Sequence, residues 1–395
     1  MSIRLNPNIN LNILKNKRYI FFSISMCKLL YGIYLTSIGP LLVMFGQTYN
    51  INLKMQSFVF PSIFIGQVFI IFYIGFLADK IGKKIIKILA LLIFSITSLF
   101  FLVASSYAEI LLIFLITGIS ASSINLISDV TITDYFKKNK SFYINLSHVF
   151  FGLGALVSPV IFNIIFTGTS NYRFIYIVFS VLSLLLFILV LPVDYPKSTI
   201  EKVNLASIKM VAANKEFIYL CIFYLLGAGV QNTVSGWIPT LFEKEIFISK
   251  TISNYSLAFL WLSIILGRIA TAYLSKKIRE QSLIKYYTII IFIIILFSGF
   301  LSKFFFLISF YILFGFFMGG LLPLLQSFST VIHKDSTGIK LGMIASSAAI
   351  GNIIIPSLVG SLGDYFYINK LIPFTSVFFA VMALYYFKKY RNKSR

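Results

Sequence analysis

Apolar residues come in long runs along this chain, each closed by a short polar stretch. Twelve runs are of the length that lets an α-helix cross hydrocarbon, about 20 residues for ~30 Å. They cover residues 19–45, 56–78, 85–105, 108–133, 142–167, 172–193, 216–240, 252–274, 285–302, 304–331, 339–363 and 371–388. A sheet in lipid must close into a barrel whose strands alternate apolar and polar positions. Runs such as 91–103 and 288–297 show no such alternation, so helices are predicted. Residues 1–18 are polar and basic. The run that follows is longer than a signal-peptide core of about 7–15 residues and lacks a small-residue cleavage site, which makes it a retained first span.

Composition agrees with that pattern. Of 395 residues 58% are hydrophobic and 12% charged, and the mean hydropathy is +0.92. A water-soluble fold cannot hide so much apolar surface. The net charge of +22 takes its meaning from where the charges fall. Of the 34 Lys and Arg, 26 lie in alternate loops and tails, among them the 80–87 and 137–140 loops. The opposite loops hold only Lys54, Arg173, Lys244, Lys250, Lys303 and Lys370, and the spans hold Lys28 and Arg268. That is the positive-inside distribution of a multi-pass protein with both termini cytoplasmic. It accounts for the basicity without nucleic acid, and the same loops suit anionic lipid headgroups. Richness in Lys, Asn, Ile and Phe points to an AT-rich genome and a bacterial cytoplasmic membrane. Cys27 and Cys221 sit inside apolar runs and the chain has two His, so neither a disulfide framework, a metal site nor a cofactor is expected. Scattered rather than clustered acids argue against an intramembrane enzyme.

The longest predicted cytoplasmic loop divides the spans six and six: residues 1–193 as a first bundle, 194–215 as linker, 216–395 as a second bundle. Sliding the sequence by 197 positions lays Gly39 on Gly236, Gly118 on Gly315, Gly154 on Gly351 and Pro159 on Pro356. Such coincidence at half the chain length indicates an internal duplication. Between spans two and three runs Gly75-Phe-Leu-Ala-Asp79-Lys-Ile-Gly82-Lys83-Lys84, a tight charged turn in which small residues let helix ends approach. In that position the string resembles the cytoplasmic signature loop of the major facilitator superfamily. A degraded copy, Gly267-Arg268 leading to Lys276-Lys277, follows span eight. The resemblance implies an all-α fold of twelve transmembrane helices in two six-helix pseudo-repeats. It also implies a site between the repeats and a gating role for Gly75, Asp79, Gly82, Lys83 and Arg268. Asn145 through Pro159, Ser235-Gly236-Trp237-Ile-Pro239 and Gly351-Asn352 through Pro356 resemble the fifth, seventh and eleventh helices of the fucose–proton symporter-like sugar carriers. Two acids common in that branch are replaced here by Gln231 and by the Thr36–Ser37 region.

Charges at lipid depth are costly and therefore informative. Lys28 in span one and Asp129 in span four can meet, either to fix helix packing or as an ion-coupling pair. Asp134 is expected to partner Lys83 or Lys137. The duplication sets Gln326 opposite Asp129 and Gln231 opposite Tyr34. Amides both donate and accept, which suits a hydroxyl-rich solute. Candidate substrate contacts are thus Tyr31, Tyr34, Asn125, His148, Gln231, Asn232, Trp237, Gln326 and Asn352, the alternative for each being a bridge between helices, or an interfacial belt for Trp237. The predicted function is secondary active transport of a small polar solute, a sugar or similar, by alternating access with proton coupling, by a monomer in the lipid bilayer. An exporter of drugs or metabolites of the same superfamily is the rival.

Overall fold

The computed structural model describes residues 17–68, 81–136, 140–169, 171–193, 195, 210–211, 213–331 and 337–390. Twelve helical segments follow one another among them: α1 (Lys17–Tyr49), α2 (53–68), α3 (Lys83–Phe100), α4 (Tyr107–Tyr135), α5 (Lys140–Thr169), α6 (Phe174–Val190), α7 (Lys215–Glu245), α8 (Lys250–Leu274), α9 (Glu280–Ser298), α10 (Phe304–Val331), α11 (Thr337–Gly363) and α12 (368–390). Nine candidate spans among the described residues are long and apolar enough to cross a bilayer, and α6 is a shorter apolar helix. The architecture is the predicted one. The ninth helix differs in register, starting five residues before the expected 285 because Arg279 and Glu280 open it in place of a polar loop.

Local chemistry sets the ends and bends. The Ser106 side chain accepts from the amide of Glu109, and the Glu109 carboxylate accepts from the amide of Ser105, a reciprocal cap at the start of α4. Asn52 and Asn214 cap α2 and α7 in the simpler one-sided way. Gly82 adopts φ +93°, a conformation side chains resist, and from it the chain turns directly into α3. The break of α1 between Thr36 and Ile38 falls where Pro40 lacks an N–H and would crowd the carbonyl four residues back.

Within the first six helices α1 lies along α5, and within the last six α7 lies along α11. Both pairs close on glycine. A Cβ on Gly154 would run into the Leu29 carbonyl, and one on Gly351 into the Leu225 carbonyl. Gly118 meets the Ile63 backbone, and Gly315 the Leu260 backbone. These contacts recur near the sequence offset of the duplication, and small residues are what let backbones approach where lipid supplies no hydrophobic drive.

The two sets of six meet along three seams, α5 with α8, α2 with α11 and α1 with α7. Among the described residues, hydrogen bonds across the seams gather at the end opposite the basic loops. Asp364, in the turn just past α11, accepts from the amides of Leu53 (2.8 Å) and Lys54 (3.2 Å) at the start of α2. Gln47 donates to Glu243 at 3.1 Å. Asn254 donates to Asn163 at 2.7 Å, and Asn163 in turn donates to the Thr251 carbonyl at 3.2 Å. Toward the basic end, the corresponding bond among the described residues runs from Arg268 to the His148 carbonyl.

Candidate functional site

Asn125 and Asp129 are four residues apart on α4, so they share a face. That face is turned to α1. The Lys28 ammonium lies 2.7 Å from Asp129 Oδ1 and donates to Asn125 Oδ1 at 2.6 Å. The lysine side chain is 0% exposed, whereas the Asp129 side chain keeps 29% of its surface open. The pair anticipated from sequence therefore exists, and its acid is the accessible member. Two buried ions in low dielectric hold together only with good geometry and extra hydrogen bonds, and Asn125 supplies one.

The charged group extends across the α5–α8 seam. Arg268 of α8 donates from Nη1 to the His148 carbonyl at 3.2 Å, and its Nε is buried with no partner. The charges of Lys28, Asp129 and Arg268 all act on His148, and those of Arg268 and Asp129 act on Tyr224 of α7. Ionisable groups of α1, α4, α5 and α8 are thus joined by two contacts, Lys28 with Asp129 and Arg268 with the His148 backbone, toward the basic end of the bundle. Lys87, counted in sequence with the basic loop, is instead wholly buried in α3, where its ammonium donates to Ser128 at 3.1 Å.

Nearer the middle of the helices the lining is neutral. Gln231 Oε1, Asn352 Oδ1 and the Trp261 indole nitrogen are buried without hydrogen-bond partners. Asn232 donates to the Asn352 carbonyl at 3.5 Å. That carbonyl is open because Pro356, four residues on, has no N–H to offer it. Trp261 also meets Phe151 edge to face at 5.6 Å across the α5–α8 seam. Orphan polar atoms in apolar surroundings each forfeit about 1–3 kcal/mol and are common where a ligand completes them.

Other predicted positions fall differently. Tyr31 is buried beside Ser122 and within the field of Asp129, at the edge of the charged group. Tyr34 is turned away from the seam. Its hydroxyl bonds Thr117 at 2.9 Å and its ring packs on Phe94 and Phe179, so it belongs to the interior of the first six helices. Trp237 is 0% exposed and donates to the Pro356 carbonyl at 3.0 Å beside Phe60. It plugs the wall between α2, α7 and α11 and reaches neither a belt nor an open cavity. Gln326 is half-buried on α10. Gly82 and Lys83 act within the first six helices, Lys83 pairing with Asp134 of α4 as anticipated. Gly75 and Asp79 lie outside the described residues. Sequence reading passed over Trp261, Tyr224 and Lys87; a tryptophan in the middle of an apolar run was the visible signal for the first.

Comparison with known proteins fits this geometry. The sequence profile of the Major Facilitator Superfamily matches residues 24–356. The glucose/mannose transporter GlcP of Bacillus subtilis (strain 168) is 23% identical over 274 residues, 67% of each chain. Among solved structures, the D-xylose-proton symporter superposes with a TM-score of 0.79 at 13% identity, covering 94% of this chain and 97% of that one. A variant of the E. coli fucose:proton symporter FucP superposes with a TM-score of 0.69 at 17% identity, covering 95% and 98%. A variant of the nucleoside transporter NupG gives 0.75 at 15%, covering 96% and 99%. With a profile match over most of its length and a fold shared end to end with solved carriers, this multi-pass membrane protein belongs to the Major Facilitator Superfamily and is a transporter, not an enzyme.

Proposed function

We propose that the protein moves a small hydroxyl-rich solute of the sugar class across the membrane by alternating access, coupled to protons through Asp129. The observation that carries the solute class is the set of orphan amide and indole atoms of Gln231, Asn352 and Trp261, beside the amide of Asn232. Hydroxyls can satisfy such donors and acceptors at once, and an aromatic edge can pack on a sugar ring. The relative named as a glucose/mannose transporter supports the class.

Coupling rests on Asp129, the acid of the Lys28 pair and its solvent-reachable member. A carboxylate that exchanges a lysine partner for a proton as the halves move gives the proton a site in one state and not the other. The two bundles, 1–193 and 216–395 joined by the 194–215 linker, rock about the α5–α8 and α2–α11 seams, with the basic loops on the cytoplasmic side and a single copy of the chain sufficing. The test is Asp129→Asn in proteoliposomes. Counterflow of labelled glucose down its own gradient should survive, while uphill accumulation driven by a pH gradient should vanish. Undiminished accumulation would remove Asp129 from the mechanism, and dye efflux with no sugar flux would move the protein to the exporters.

A further inference from the structure

We propose that the solute bears an anionic group, a carboxylate or a phosphate on its hydroxyl-rich body, and that Arg268 receives that group with Lys28 beside it. The inference rests on the sugar-class reading and narrows it.

The reason is charge balance at depth. Of the eight acidic residues among the described ones, Asp129 alone lies well inside a span; the others sit in loops or near the ends of helices. Two cations lie comparably inside spans, Lys28 and Arg268, and Lys87 is buried one turn into α3. Lys28 has Asp129 and Lys87 has the Ser128 hydroxyl. Arg268 has a backbone carbonyl, and none of the ion pairs among the described residues includes it. A lysine starved of a counter-charge can release its proton, whereas a guanidinium cannot. An arginine at this depth with no acid therefore leaves a positive charge that a neutral sugar does nothing to offset.

Geometry points the same way. Nη1 is engaged by the His148 carbonyl, while Nε is buried and bare. The Nε edge of a guanidinium offers two parallel N–H groups, the fork that carboxylates and phosphates accept side-on. Gln231 and Asn352 lie toward the middle of their helices. A solute oriented with its acid toward the basic end would set its hydroxyls against those amides.

The experiment compares binding of glucose, glucuronate and glucose 6-phosphate to the purified protein, by thermal shift and by calorimetry. At least one acidic sugar should bind about tenfold or more tightly than glucose, the scale of one charge-assisted hydrogen bond; the responding arm tells carboxylate from phosphate. Arg268→Gln should erase that preference and Arg268→Lys retain part of it. Because the glutamine variant removes a partly buried charge with no acid partner among the described residues, it should melt no lower than the parent without ligand, whereas a purely structural arginine would give a lower melting point. Glucose binding as tightly as both acidic sugars overturns the inference and leaves the sugar reading intact. Response to none of the three overturns both. An acidic preference that persists in Arg268→Gln removes Arg268 from the site. The comparison on the unmodified protein stands even where a variant fails to fold.

Discussion

Lys28 and Asp129 make a pair in which the partners are unequally buried, and the inequality governs what each substitution does. Lys28→Met leaves a carboxylate facing an apolar side chain. Removing one partner of a fully buried pair costs about 3–5 kcal/mol. Asp129 keeps 29% of its side chain open and can rehydrate, so about 2 kcal/mol is expected here. Adding Asp129→Asn to Lys28→Met should recover most of that loss, because the stranded charge goes with it; thermal unfolding in detergent of the two variants checks both. This pairing was legible in the sequence, since two opposite charges in otherwise apolar runs have few other places to go. The fate of Tyr34 was not. Tyr31 and Tyr34 are three residues apart on one helix, and hydropathy finds a span without fixing its rotation. Packing by Phe94 and Phe179 turned one hydroxyl inward to Thr117 and left the other beside Ser122.

Among the elements, proline and glycine divide the labour. Pro356 opens a carbonyl that Asn232 takes, and the indole of Trp237 donates to the carbonyl of Pro356 itself, so the proline turn of α11 is tied to α7. Glycine sets how near α5 and α11 come to α1 and α7, and here the duplication read from the sequence found the contacts. It did not find Asp364. That residue stands outside every run, and its worth comes from facing two free amides at the start of α2, where a carboxylate is favoured by the helix dipole and by unpaired N–H groups. Asp364→Ala should loosen the end opposite the basic loops. A cysteine at the α2–α11 seam, Ser357→Cys, should then react several-fold faster with a membrane-impermeant maleimide than in the Asp364 background, with native Cys27 and Cys221 both buried and slow. Equal rates would show that the latch contributes nothing to closure.

For the molecule as a whole, the seams show where the two sets of helices are tied together. Among the described residues, bonds between the two sets of helices are gathered opposite the basic loops, and the proposed alternating access requires that end to part. A disulfide between Gln47→Cys and Glu243→Cys, whose native side chains already bond at 3.1 Å, should stop transport when oxidised and release it on reduction. Transport that continues in the oxidised protein would count against rocking at this seam.

Chain order, the twelve helices, the duplication and the sidedness of charge all follow from one-dimensional information, because lipid imposes a length and a polarity on every segment that crosses it. The identity of the site residues needed the third dimension. A polar atom becomes a binding group only when neighbours on other helices leave it unpaired, as at Gln231, Trp261 and Arg268, or becomes structural when they pair it, as at Tyr34, Trp237 and Lys83. That choice is made by helix rotation and by contacts more than a hundred residues apart in sequence, such as Arg268 on His148 and Asn232 on Asn352, and no local pattern records it.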